Sequence, residues 1–242
     1  MTTHTSLLKQ LASRRPVGPD DQISSDHPLI AAADIDEFLA TALPSKSTEL
    51  NDIFYRAVNF ALAPANTNLE AGFLVTFVAV ESLLTFFRRQ DNYKILKREA
   101  FGAFERDLKK WLKEHPALAG EARKRALIYE KVPELNRYPF SYVFKGFCEH
   151  HSLDLSDLWP VVGNHAEWPL TEIRHRLVHG DPFKSRPSEA LACAHTHLSW
   201  VVKRMLLSVL GWPITRSNVS RENLSRISNY HESWQVERAK FA

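Results

Sequence analysis

The sequence predicts an all-α protein, and three observations carry that reading. No stretch alternates apolar and polar residues at the period of two that a half-buried strand requires, whereas several repeat apolar residues at three and four positions. Only 8 glycines occur in 242 residues, and the 13 prolines fall between the periodic stretches. An apolar content of 44% is ample for a packed core, and 24% charged residues is ordinary for a soluble domain.

Residues 1 to about 28 are polar, hold Pro16, Gly18, Pro19 and Pro28, and read as a loosely held arm. Leu7, Leu8 and Leu11 are too sparse for the apolar centre of a secretory signal. A short helix over 33–43 stops at Pro44. The stretch 48–63 is amphipathic, with Leu50, Ile53, Phe54, Ala57, Val58, Ala61 and Leu62 on one side. Asn66, Thr67 and Asn68 offer caps for a helix over 69–89 that is apolar nearly all round, which assigns it to the centre of a bundle. Its apolar run, 72–87, is short for a bilayer and interrupted by Thr76, Glu81, Ser82 and Thr85, so no membrane partner is expected. Glu81 is the one ionisable residue deep in that helix, and a buried carboxylate calls for a partner, arginine above all. Charged helices follow over 93–115 and 117–131, the second carrying Arg123-Lys124-Arg125.

A break at Pro133–Pro139 precedes a helix over 140–151, then a short helical turn ended by Pro160 and a loop over 161–167. Pro169 suits the first turn of the next helix, and Gly180 its exit. A long helix over 188–210 places Leu191, Ala194, Leu198, Val201, Val202, Met205, Leu206 and Val209 at helical spacing. After Pro213 the chain is polar apart from Leu224, Ile227 and Trp234, enough for one peripheral helix. The expected organisation is an N-terminal arm and short helix (1–47), a helical domain (48–212) and a polar C-terminal tail (213–242).

Formal charge is only +3, so any affinity for nucleic acid must come from a local patch. Cys148 and Cys193 lie far apart in helical sequence and read as buried thiols in a reducing, cytoplasmic setting. The chemistry concentrates in Glu172-Ile173-Arg174-His175-Arg176-Leu177-Val178-His179-Gly180-Asp181. Arginine clamps phosphate through a planar fork of donors, and histidine exchanges protons near neutral pH. At about 100° per residue, Leu170, Ile173, Leu177 and Val178 face the bundle, while His175 and His179 lie together on the other side. Arg174 and Arg176 flank the histidines with reach enough to fold over them. Two such helices meeting on a two-fold axis form one cleft with doubled arginine and histidine groups.

Arg174-His175-x-x-x-His179 resembles the signature of the HEPN superfamily of helical-bundle ribonucleases: an arginine, a polar residue, three further residues and a histidine near a helix end. The surrounding Leu170-x-x-Ile173 and Leu177-Val178 pattern is similar to the Apea-like HEPN group. So are the Phe140–Phe144 helix, the Leu155-x-x-Leu158-Trp159 turn and the Val80–Leu84 helix, and the resemblance spans roughly residues 48–212. It implies an up-and-down helical bundle with extensions at both ends. It also implies a metal-independent endoribonuclease, without cofactor, whose site lies at a homodimer interface and which often serves bacterial antiphage defence or toxin systems with a protein antitoxin or activator. Arg174 and His179 take the family's catalytic positions and His175 its polar one; Arg176 and Glu81 stand outside the signature as supporting residues.

The implied reaction is attack of an RNA 2′-hydroxyl on the adjacent phosphate, leaving a 2′,3′-cyclic phosphate and a 5′-hydroxyl. Arg174 then stabilises charge on the phosphoryl oxygens, and His179 acts as general base or acid. Other readings of the same residues stay open. Basic side chains complement any helix C-terminus, and a His pair at i, i+4 can ligate zinc, although no third ligand stands out. Arg123, Lys124 and Arg125 form either a solvated face or an RNA-positioning patch. His195 and His197 read as ordinary helix residues, and Glu81 either orients Arg174 or is simply a structural pair. A helical module that dimerises, or binds a nucleotide or protein partner without cleavage, is the alternative function.

Overall fold

Helix follows helix through the computed structural model, which describes residues 29–42, 56–59, 68–90, 94–181, 183 and 188–241. The fold is all-α; among the described residues there is no strand, and the only β pairing consists of single bridges, Ile30 with Ser217 and Lys94 with Arg137. The N-terminal arm and most of the 48–63 helix lie outside the described residues; 56–59 are helical there, with Ala57 and Val58 buried. The described helices are α1 (Ile35–Ala42), α2 (Leu69–Gln90), α3 (Arg98–Glu114), α4 (Ala122–Lys131), α5 (Phe140–His150), α6 (Leu170–His179), α7 (Ser188–Val209), α8 (Arg221–Ile227) and α9 (Asn229–Ala239).

The chain divides into two units. The first joins Met1–Phe86 to Phe147–Ala242, and the second is Phe87–Gly146. In the first unit, Asn68 caps α2 as its position predicts, its side-chain oxygen accepting the Ala71 N–H at 2.8 Å. By length and composition Leu69–Arg88 could cross a bilayer. It presents Phe73, Phe77, Val80, Leu83 and Leu84 to the protein interior, and Thr76 Oγ1 lies 3.1 Å from His195 Nε2 of α7, as suits a core helix. Helix α7 is buried along most of its length, from Ala190 to Leu207.

The polar tail departs from expectation. It forms two helices rather than one, and α9 packs along α7. The reason lies in its few apolar residues and in one histidine: Val219, Leu224 and Phe241 are buried, and His231 docks onto a buried carboxylate. The N-terminal segment is fastened to this region as well. Arg216 forks onto Glu37 and reaches Asp34, its guanidinium lies 4.5 Å from the Trp212 ring, and Phe38 meets Trp212 edge to face.

The second unit has a thin interior made of Phe87, Leu112, Val132, Asn136, Val143 and Phe144. Asn136 ties its chain ends together, accepting the Leu96 N–H at 2.7 Å and donating to the Leu96 carbonyl at 3.1 Å. The Tyr129 hydroxyl donates to the Lys109 carbonyl of α3 at 3.0 Å. A left-handed Gly120 (φ 75°) turns the chain into α4.

Candidate functional site

Helix α6 is held at its base. Pro169 sits at the N-cap rather than in the first turn, and the N–H groups of Leu170 and Thr171 donate to the Pro160 and Val161 carbonyls at 2.9 and 3.1 Å. Two of the donors that a helix start leaves unpaired are thereby satisfied by the preceding loop. Trp168 precedes the helix in a left-handed conformation (φ 51°), while its carbonyl accepts the Trp159 indole N–H at 2.8 Å. Leu170 and Ile173 are fully buried and anchor the inner face. The far end closes as the sequence predicts: Gly180 is left-handed (φ 70°), and the Gly180 and Asp181 N–H groups both point to the Arg176 carbonyl.

The histidine pair also forms as expected. His175 and His179 are exposed, with ring centroids 4.4 Å apart. Arg174 Nη2 meets Glu81 Oε1 of α2 at 3.0 Å, so the arginine expected to partner Glu81 is Arg174 itself. The setting differs from the sequence reading, because the Glu81 side chain is 38% exposed and that of Arg174 36%. Glu81 lies at the rim of the α2 core face, where water shares the cost of its charge, rather than deep within it.

Two further corrections concern α6. Val178 is 50% exposed rather than turned inward. A helix this short buries only a narrow stripe, centred on Leu170 and Ile173, and Val178 lies too far round from it. Arg176 does not cover the histidines. It bends back one turn, donates from Nε to Glu172 Oε1 at 3.0 Å, and lays its guanidinium 4.6 Å from the Trp168 ring centroid. Glu172 is buried and also engages His165 Nδ1. Burial alone would raise its carboxyl, but the bonds from His165 and Arg176 win and hold it below the usual range. Arg176 is thus a brace of the helix base, while the outward face carries Arg174, His175, Val178 and His179.

The remaining candidates lie elsewhere. Arg123 is exposed on α4, Lys124 pairs with Glu121 at 3.1 Å, and Arg125 donates to the Leu118 carbonyl in the second unit. Cys148 is half-buried and Cys193 buried; both are free thiols, pushed up to about 12 by burial. No third His, Cys, Asp or Glu joins the histidine pair in a metal-holding cluster among the described residues.

Sequence reasoning overlooked a buried charged group in the first unit. Arg204 forks onto Asp157 at 2.6 and 2.7 Å and donates to the Val219 carbonyl at 2.7 Å, while His231 Nε2 lies 2.8 Å from Asp157 Oδ2. Burial would raise the Asp157 carboxyl, but the Arg204 and His231 bonds bring it down to about 2. His197 is wholly buried beside this group; it accepts the Trp159 N–H at Nδ1 and faces the Tyr230 carbonyl through Nε2, 2.9 Å away. Arg204 was the available signal: of the two cations, Lys203 and Arg204, that interrupt the apolar run from Trp200 to Leu207, it is the one a helical turn from Val201 and Trp200.

No protein-family model, no curated protein and no solved structure matches the chain.

Proposed function

We propose that the protein is a metal-independent endoribonuclease of HEPN type whose reacting groups are Arg174 and His179, with His175 supporting them. The observation that carries this reading is the outward face of α6. It presents a close histidine pair to solvent beside an arginine that is fixed from a second helix by Glu81. An arginine serving only to complement the helix dipole has no need of such an anchor.

In the proposed reaction the 2′-oxygen forms a bond to the adjacent phosphorus while the bond from phosphorus to the 5′-oxygen breaks. A base takes the 2′-hydroxyl proton, and an acid returns one to the departing 5′-oxygen. His179 fills one of these roles, and His175 packs beside it with ring centroids 4.4 Å apart. Arg174 donates to the phosphoryl oxygens, where negative charge grows in the transition state. Exposed Val178, set among these polar groups, supports a second α6 packing across a two-fold axis to complete the site. The same valine also favours the alternative, a module that dimerises without cleaving. The resemblance supports a role for the cleaving enzyme in bacterial antiphage defence or a toxin system, under an antitoxin or activator.

His179→Ala is expected to lower cleavage of a fluorophore-quencher RNA by about 10²–10⁴-fold with unchanged circular dichroism. The product of the wild-type protein should carry a 2′,3′-cyclic phosphate, and an all-DNA strand should stay intact. Equal cleavage by His179→Ala and wild type would end this assignment. Dimerisation without any cleavage, with candidate activators supplied, would favour the alternative.

A further inference from the structure

Charge is unevenly divided along the chain. Residues 87–146 hold fifteen Lys or Arg against eight Asp or Glu, a net +7, while the rest of the sequence holds sixteen against twenty, a net −4. The modest total of +3 therefore conceals one strongly basic unit. On α3, Arg106, Lys110 and Lys113 recur at i, i+4 and i+7, forming one row about 10 Å long. All three are exposed, and none forms an ion pair among the described residues. By contrast, α3's neighbouring Lys109 is already neutralised by Glu105 at 2.6 Å.

The same unit leaves large aromatic faces in water. Trp111 is 57% exposed, Phe104 44% and Tyr142 53%; Tyr142 also stacks on Tyr138 with centroids 4.3 Å apart. Unpaired cations and open aromatic rings are the two elements of single-strand recognition: cations track the phosphates, and flat rings stack on bases whatever their identity. A membrane surface also attracts cations and aromatics, but it requires a continuous apolar face. Here Asp107 falls between Phe104 and Trp111 on the helix surface, and Glu114 flanks Trp111.

We infer that Phe87–Gly146 is a binding unit for single-stranded RNA, with Arg106, Lys110 and Lys113 taking the phosphates and Trp111 stacking on a base. The choice of RNA as the polyanion rests on the ribonuclease reading above; the charge and the aromatic exposure do not.

The test uses the full chain and a fluorescent 2′-O-methyl oligoribonucleotide, which cannot be cleaved because its 2′-oxygen is blocked. Binding is followed by anisotropy across a salt series. The triple variant R106A/K110A/K113A is expected to bind about tenfold or more weakly and to lower the slope of log affinity against log salt by about 2. Trp111→Ala should weaken binding by roughly 5- to 150-fold with little change in that slope. Because binding is read without cleavage, it can succeed where the Arg174/His179 assignment fails, and the reverse. The inference is overturned if the triple variant matches wild type in affinity and slope. It is equally overturned if the wild-type chain ignores the oligonucleotide but binds vesicles rich in phosphatidylserine.

Discussion

Glu81 and Arg174 form one ion pair, 3.0 Å from Oε1 to Nη2, between two side chains that are each more than a third exposed. Such a pair contributes at most about 1 kcal/mol to stability. Its value lies in aim: a guanidinium held on one side keeps its remaining donors pointed one way, and a misplacement of about 1 Å can cost as much as 10²-fold in rate. In the proposed reaction Glu81 is accordingly a positioning residue for Arg174. Glu81→Gln should leave the melting temperature within a degree or two while lowering kcat by about tenfold or more at nearly constant KM. A fall in melting temperature with unchanged kcat would make the pair structural only. Arg176 is the opposite case, since its guanidinium is spent on Glu172 and Trp168.

At the scale of elements, α7, α9 and the turn before Pro160 are joined by the Asp157, Arg204 and His231 group. A buried charge whose partner is removed is costly, whereas replacing both partners with apolar residues can be close to neutral. Arg204→Met should therefore destabilise the protein by about 3–5 kcal/mol, read from the urea midpoint, and the double variant D157L/R204M should recover most of that loss. Recovery of nothing would mean that the single substitution acts by its shape rather than by orphaning Asp157. The group also shows why the tail proved hard to read. Its helices rest on a single histidine and a handful of apolar residues, too few to register as an amphipathic pattern, and their partners are more than twenty residues distant in sequence.

For the molecule as a whole, acid should act first through the histidines whose pKa burial lowers below the ordinary imidazole value: His151, His195 and, furthest, His197. Burial holds the His197 imidazole neutral and lowers its pKa to about 4, against about 6.5 for an unfolded chain. Between these values the unfolded state binds a proton that the folded state refuses, so stability falls as pH drops from about 6.5 to 4, by about 3 kcal/mol in all. Asp157 acts lower down: its contribution is full above about 4 and is lost as pH falls through about 2. Urea midpoints between pH 7 and 5 should decline for wild type and decline less steeply in His197→Gln, with His151 and His195 supplying the remainder; parallel curves would show that His197 does not govern the decline.

Local chemistry was legible in the sequence, and long-range partnership mostly was not. Most of the helices among the described residues, the Asn68 cap, the Gly180 exit and the His175/His179 pair depend on spacings of three to five residues, and these form. Arg174's bond to Glu81 was foreseeable because a carboxylate in an apolar helix needs an answer. The fate of Arg176 was not foreseeable, because Trp168 lies outside the helix and meets Arg176 only through a left-handed turn.

That turn has a consequence for the order in which the molecule is built. Trp168, on which Arg176 rests, stacks against Phe241 with centroids 5.4 Å apart, and Phe241 also meets Trp159 and Phe183. The base of α6 is thus closed by a side chain more than sixty residues downstream of the helix it supports. A ribosome must release almost all of that intervening chain before the brace can close. Until then Arg174 and His179 project from a helix without its final footing, and the proposed site is completed only once the chain through Phe241 has emerged.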